Sequence, residues 1–534
     1  METTTLTQSH YTTKCNTSQL VLPLDFSLIL KEDDPIFSFN SIMDEVSLLD
    51  LEQEVNIKGR NPYDFRMMCK LVSFSFMEGN FSLRDMAEAC IYDIRYHILT
   101  GGATPSHKTI GEFIKYRLGG NIKILFKRVV EVLREKENID MSISFIDGTK
   151  FQANANKYTF VWKKAVKKYL KKLHVKITNA INDLNDYILL KYLVEFEVRE
   201  EYEPRDIVDI VDWLLYIAEK ENIEFKERSS KRKDPIQRFY NTFHEYQIKM
   251  MEYLEKIETC GSRNSYSKTD KDATFMHLKE DYYGGTNLFH AAYNIQIMVS
   301  DEYITHVGVF DTAGDTNTFI PMMNSYREAY EELPLNPVAD AGYGSYSNYM
   351  YCLMNGLNLV QKFNVYSIEK SRSYKNKIFN KDNWYRDEEN GDYICPNWRR
   401  FRIEREKRNQ KSEYYRIDQI HSCGEGCSGC RMHSECTKSI HGRKITVNPI
   451  LEEMREIVRG NLGSEEGKEL KKRRSAEVEG AFGIIKNNWN YERIHRKGKE
   501  NVEMEMYWIS MGFNLRKYHN KRIQQQKKDK IDIS

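Results

Sequence analysis

The amino-acid sequence predicts an α/β fold: a mixed sheet with helices, preceded by an all-α N-terminal domain and interrupted by a helical insertion and a cysteine-rich insertion. Three observations carry this. Two short apolar stretches, Ile143 to Ile146 and Leu335 to Ala339, each run straight into an aspartate followed by glycine or Ala-Gly. Between them, residues 288–299 and 303–310 have strand patterning, the second with clean alternation, separated by Ser300-Asp301-Glu302 as a turn. Helical periodicity fills the chain before the first strand and between it and the hairpin.

Size and composition narrow the classes. A chain of 534 residues, 40% of them hydrophobic, can build several packed domains. Its 80 basic and 78 acidic side chains nearly cancel, so a nucleic-acid partner must be argued from local patches. No apolar run is long enough to cross a bilayer, and no secretory start is expected. Ten cysteines without such a leader point to reduced thiols.

Residues 1–36, rich in Thr and Ser, are expected to be a loose tail. From 37 to 135 the pattern is helical: Ile42, Val46 and Leu49 share a face, Pro62 suits a first turn before Phe65, Met68 and Leu71, and Ser82 can cap a helix through Ala89. After Gly101-Gly102, a segment starting at Thr104 places Ile110, Phe113 and Ile114 on one side and Lys108, Lys115 and Arg117 on the other. Short helices joined by glycine turns could form a helix-turn-helix unit with Lys108 at DNA, or an ordinary packing domain.

Asp147 is the first candidate site residue. A carboxylate beside a buried strand is costly unless something cationic accompanies it, and a bound metal ion does so; otherwise Asp147-Gly148 opens a hairpin turn. Residues 165–264 are expected to be a helical insertion. Its first helix carries lysines at 163, 164, 167, 168, 171 and 172, suited to phosphates or to a solvated face. A charged linker is expected from Lys226 to Lys233. Past the hairpin, Asp315 to Thr318 supply a helix cap before Phe319, and the cap is preferred over a metal role for Asp315. Asp340 then repeats the logic of Asp147, and Leu357 to Val360 form a further strand. Two strands of one sheet would each present an acid at the carboxyl end, where open α/β sheets place their sites.

Residues 366–459 hold five of the cysteines. Cys395, Cys427, Cys430 and Cys436 have the spacing of a tetrahedral thiolate Zn²⁺ site, with Cys423, His421 or His433 as substitutes. Four thiolates would close the coordination sphere, so that zinc would be structural. The third acid is Glu479, beside the apolar stripe of Val478, Ala481, Phe482 and Ile485, with Glu477 as rival. Around it lie Arg474, Lys486, Trp489, Tyr491, Arg493 and Arg496. A closing helix carries Val502, Met506, Ile509 and Phe513, and residues 521–534 are expected to be a frayed basic tail.

Strand-Asp147-Gly148, the hairpin, strand-Asp340-Ala-Gly-Tyr343, and Val478-Glu479-Gly-x-Phe-Gly-x-x-Lys486 together resemble the DDE transposases of bacterial insertion sequences. More narrowly, the chain is similar to the branch with a helical amino-terminal domain and a cysteine-rich insertion ahead of the glutamate. The resemblance covers residues 37 to about 520. It implies an RNase H-like core built from 140–164, 265–365 and 460–520, with Asp147, Asp340 and Glu479 as catalytic triad holding Mg²⁺ or Mn²⁺. It further implies Lys486, Arg474, Arg493, Arg496 and Lys108 on DNA, and Trp489 or Tyr491 stacking on an unpaired base. The partners would be double-stranded DNA, both the terminal inverted repeats and the target, bound as a homodimer in the bacterial cytoplasm at the nucleoid, with no membrane. Two departures stand out: Arg474 is five residues before Glu479 with no tyrosine closely preceding, and the 165–264 insertion is unusual. A nuclease or resolvase on the same fold, or an inactive DNA-binding relic, are the alternatives.

Overall fold

In the computed structural model, which describes residues 30–53, 61–226, 233–278, 288–387, 389–410, 413–427 and 429–532, the chain divides into two units. Met1–Thr149, Asn294–Glu492 and Glu500–Ser534 form the first, and Lys150–Tyr293 and Arg493–Lys499 the second. The expected loose tail falls largely on residues 1–29, and the charged linker on 227–232, both outside the described residues.

Capping residues open the N-terminal helices. Asp34 accepts from the Ile36 amide at the start of α1 (Pro35–Met43), Asp64 from Met67 at α2 (Phe65–Met77), and Ser82 caps α3 (Leu83–Tyr92). Next come α4 (Ile94–Thr100), the six-residue α5 (His107–Glu112), a turn of wider π-type winding over Phe113–Leu118, and α6 (Ile122–Glu137). Helix α2 is buried on nearly every side, so it needs partners all round.

The first strand, β1 (Ile143–Gln152), leads into the second unit. There β2 (Phe160–Trp162) precedes α7 (Lys163–Tyr192), α8 (Pro204–Lys220) and α9 (Pro235–Cys260). Leu173, Ile177, Ile181, Leu184 and Ile188 of α7 pack on Ile207, Ile210 and Leu214 of α8 and on Phe243 and Met250 of α9, a three-helix core within the predicted insertion. Strand β3 (Ser265–Ser267) closes a ribbon with β2, and β4 (Thr274–His277) pairs antiparallel with the start of β5 (Phe289–Ser300).

Back in the first unit, β5 and β6 (Tyr303–Phe310) form the predicted hairpin. Asp301 and Glu302 both take positive φ, 47° and 72°, the geometry a two-residue hairpin loop requires. Helix α10 (Phe319–Tyr330) leads to β7 (Asn336–Ala339), which runs parallel to β1 with Ile146 opposite Ala339. The strand order in this unit is thus β6-β5-β1-β7. After α11 (Tyr346–Met354), the expected strand at 357–360 is reduced to a single parallel bridge between Ala339 and Gln361. β7 is only four residues long and offers little edge to pair with.

The cysteine-rich stretch contains the short α12 (Arg372–Lys375) and α13 (His433–Cys436) and an antiparallel sheet of β8 (Tyr385–Arg386), β9 (Tyr393–Ile394), β10 (Arg400–Arg408), β11 (Ile417–Ser422) and β12 (Lys444–Val447). Two helices follow, α14 (Pro449–Gly463) and α15 (Glu465–Gly483), the latter passing into a π-type turn at Ile484–Asn488. The closing helix, α16 (Lys499–Asp532), does not fray after residue 520 as expected. Lys517 and Lys521, one turn apart, both pair with Glu302, at 2.8 and 3.1 Å, and tie that stretch to the β5–β6 hairpin. The N-terminal helices share this unit with α16: Phe126 meets Tyr507, and Ser38 bonds His519 at 3.0 Å.

Candidate active site

The parallel register of β1 and β7 puts Asp147 and Asp340 side by side, each one residue beyond the matched pair Ile146 and Ala339. Asp340 leaves the end of its strand. Asp147 does not: β1 continues to Gln152, so Asp147-Gly148 neither ends the strand nor opens a turn. The strand runs on because β5 remains beside it after β7 has stopped.

A third element closes over the pair. Arg474 of α15, its side chain only 6% exposed, sends Nη1 to Asp147 Oδ2 at 3.2 Å and Nη2 towards Asp340 Oδ1 at 3.9 Å. Lys362 Nζ also reaches Asp340 Oδ1, at 3.4 Å. Burial pushes the Asp147 carboxyl up, more than Arg474 and the Gly148 amide push it down, and the carboxylates of Asp340 and Asp315 add to the rise. Burial also acts upward on Asp340, but the Ala341 amide, Arg474 and Lys362 outweigh it and hold that carboxyl below its ordinary value. Arg474 alone therefore does not offset the cost of burying the Asp147 carboxylate. A divalent cation fits that deficit, with Asp147 and Asp340 as its oxygen donors.

Asp315 was expected to cap α10 and does not. Its Oδ1 accepts from Asn294 Nδ2 at 2.8 Å and from Gln296 Nε2 at 3.1 Å. Gln296 Nε2 also donates to Asn294 Oδ1 at 3.0 Å, and Gln296 Oε1 accepts from the Tyr343 hydroxyl. Asn294, Gln296 and Tyr343 are all buried. This chain of bonds lies directly under Gly148, where a Cβ would stand 1.8 Å from Gln296 Nε2. Asn294 and Gln296 escaped sequence reasoning, since polar side chains two apart on an apolar strand look like its solvent face. Their alternation with Ile295 and Ile297 was the available signal.

The remaining candidates are dispersed. Glu479 is exposed on α15, five residues and about 140° around the helix from Arg474. Its rival Glu477 is buried, accepting from the Glu302 amide at 2.8 Å and from Arg473 Nε at 2.9 Å, so it anchors the hairpin. Lys486 Nζ donates to Thr149 Oγ1 at 2.7 Å, two residues beyond Asp147 on the same strand face. Arg474 faces the two aspartates and is buried, which corrects its expected place on DNA. Tyr491 is 2% exposed and packs edge-on against Phe81 at 5.0 Å, with Trp489 on the same ring at 5.7 Å. A buried Tyr491 cannot stack on a base, because the apolar ring already has its partner. Arg493 and Arg496 belong to the second unit, and Lys108 is exposed, 3.8 Å from Glu112.

Cys395, Cys427, Cys430, His433 and Cys436 line one cleft. Cys423, held in reserve above, is in the cluster: its Sγ is 2.9 Å from Cys427 Sγ, and both pack with Cys395 against Trp384 and Phe401. Burial and the neighbouring Cys427 and Cys395 sulfurs push the Cys423 thiol up to about 12. A soft cation fits such crowded sulfurs, since each thiolate otherwise repels the next. Among the described residues, no three acids, thiols or imidazoles are already arranged as a closed metal-binding set.

Comparison with protein families finds two matches. A family described as "Transposase DDE domain" matches residues 394–519, which include Glu479, Lys486 and the five clustered cysteines, and "Transposase domain (DUF772)" matches residues 25–116. No curated protein and no solved structure matches the chain. Two transposase segments in one chain, one before and one after the strands that bear Asp147 and Asp340, indicate an insertion-sequence DDE transposase.

Proposed function

We propose that the protein binds the terminal inverted repeats of its element and catalyses metal-dependent DNA strand cleavage and strand transfer at an RNase H-like core. The observation that carries this reading is the β1–β7 register, which delivers two aspartates to one place under a single arginine. The order β6-β5-β1-β7, with an antiparallel hairpin on one side and a parallel strand on the other, supports the core. Mg²⁺ or Mn²⁺, when bound at such acids, activates the attacking oxygen and stabilises charge at phosphorus.

The chain's own residues have distinct parts in that chemistry. Asp147 and Asp340 would hold the metal. Arg474, buried against both, balances their charge when no cation is bound. Lys486, beside Thr149, positions the backbone next to the scissile bond. Glu479, exposed about 140° around the helix from Arg474, completes the acidic set only if that helix turns or shifts towards the aspartates. Asp315 is the rival third acid, favoured by its electrostatic reach to Asp147.

Cleavage of DNA carrying the flanking inverted repeats, with Mg²⁺, tests the assignment. Asp147→Asn and Glu479→Gln are expected to abolish cleavage and leave DNA affinity unchanged, whereas Asp315→Asn costs about 10–100-fold, as for an outer-shell partner. Full cleavage by Asp147→Asn removes the site. Loss with Asp315→Asn but not with Glu479→Gln makes Asp315 the third acid. Strand-transfer products separate a transposase from a simple nuclease.

A further inference from the structure

The helical insertion, to which the transposase reading assigns nothing, opens on an uninterrupted run of positive charge. From Gly148 to Asn182 the sequence has nine lysines and no carboxylate side chain. On α7, Lys164, Lys167, Lys168, Lys171 and Lys172 are all exposed. At about 100° per residue they occupy an arc of about 140°, opposite the buried stripe of Val166, Leu173 and Ile177, along about 12 Å of helix.

Among the described residues none of these five makes an ion pair, whereas Lys191, Lys249 and Lys256 of the same unit pair with Glu221, Glu245 and Glu252. Three of their spacings, 164 to 168, 167 to 171 and 168 to 172, set like charges one turn apart, which destabilises a free helix. A merely solvated face would intersperse acids, as α9 does. The approach to this helix is aromatic: Tyr158 is 85% exposed and Trp162 43%.

A second basic stretch belongs to the same unit. Residues Arg493–Lys499 lie along the end of β1, with the Ile494 amide donating to Gln152 O at 2.9 Å and Asn154 Nδ2 to His495 O at 2.6 Å. The Gly498 and Lys499 amides bond Asp270 and Asp272, at 3.3 and 2.9 Å. His495, Lys497 and Lys499 are exposed.

We propose that the lysine face of α7 is a sequence-independent contact surface for the phosphate backbone of double-stranded DNA, separate from the aspartate site. The inference rests on the transposase reading, since DNA is the substrate that reading supplies. Polyanionic backbone is the partner whose charge matches a dense run of lysines with no interleaved acid. The Arg493–Lys499 segment is a second basic stretch of the same unit.

The test measures full-length protein binding to a duplex carrying the element's inverted repeat and to an unrelated duplex of equal length, over a salt series. Lys164→Gln/Lys168→Gln/Lys171→Gln/Lys172→Gln is expected to weaken both at least tenfold and to flatten the slope of log K against log salt by about 0.9 per lost phosphate contact. The same four positions changed to arginine retain affinity and slope, and Lys191→Gln leaves both unchanged. An unaltered thermal melt shows that the glutamine variant is folded. Wild-type affinity and slope in that variant overturn the proposal while the aspartate site stands. Weakening on the inverted repeat alone overturns it too, because it signals base reading. Wild-type protein that binds no DNA removes both this inference and the transposase reading.

Discussion

Gly148 shows how one missing side chain holds the candidate site together. The Gln296 amide occupies the space a Cβ would take and so reaches both Asp315 and Tyr343. Gly148→Ala is expected to push Gln296 aside, strand two buried polar partners and cost about 1–3 kcal/mol of stability. Cleavage should fall with it while DNA affinity holds. Denaturant unfolding beside a cleavage assay checks this, and an alanine variant with native stability and cleavage shows that Gln296 is free to move. In the sequence, Asp147-Gly148 looked like a metal-bearing strand end or a turn. The glycine is instead there for side-chain packing in mid-strand, which spacing does not reveal.

At the scale of elements, two packings carry the unit. Helix α16 meets the end of α2 at Gly512, where a Cβ would come within 2.5 Å of the Phe76 carbonyl carbon. Only backbone stands in the way, so nothing can rotate aside. Gly512→Ala is therefore expected to destabilise by about 1–3 kcal/mol of overpacking, despite alanine's helix propensity, and a lower denaturant midpoint at unchanged m-value would register it. The cysteine lobe is the second packing. If its sulfurs bind zinc, the purified chain carries one zinc, and Cys423→Ser or Cys427→Ser lowers the metal content and the melting temperature together. A zinc-free wild-type chain with an unchanged melt under chelation would make the cluster a set of packed thiols.

For the whole molecule, acid stability is expected to depend on a histidine remote from the chemistry. His306 of β6 is 3% exposed, bonded through Nε2 to Ser325 at 3.0 Å and edge-on to Tyr326. Burial, aided by Lys123, pushes its pKa down to about 3. The folded chain keeps this ring neutral while the unfolded chain protonates it near its ordinary value of about 6.5. Its contribution is thus present above that pH and is lost as pH falls towards 3, at about 1.4 kcal/mol per unit. Asp147 has the opposite sign: its raised value favours the folded chain when protonated and is a cost once ionised. His306→Gln should flatten the stability profile between pH 6.5 and 4, as measured by thermal melts. An unchanged profile would show that another group sets the acid limit.

The sequence by itself determined the features encoded along continuous stretches: the apolar strands before Asp147 and Asp340, a turn within Ser300-Asp301-Glu302, the helical pattern with its lysine stripe, and the crowding of cysteines. Each follows from periodicity, turn chemistry or residue spacing along one continuous stretch of chain. Only the tertiary structure decided that Arg474 faces the aspartates, that Asp315 joins a buried amide network, that Glu477 anchors a hairpin and that Tyr491 is core. Arg474 and Asp147 stand 327 positions apart. Contacts at that separation are chosen by how whole surfaces pack and how buried charges find partners, and no local pattern of residues records that choice.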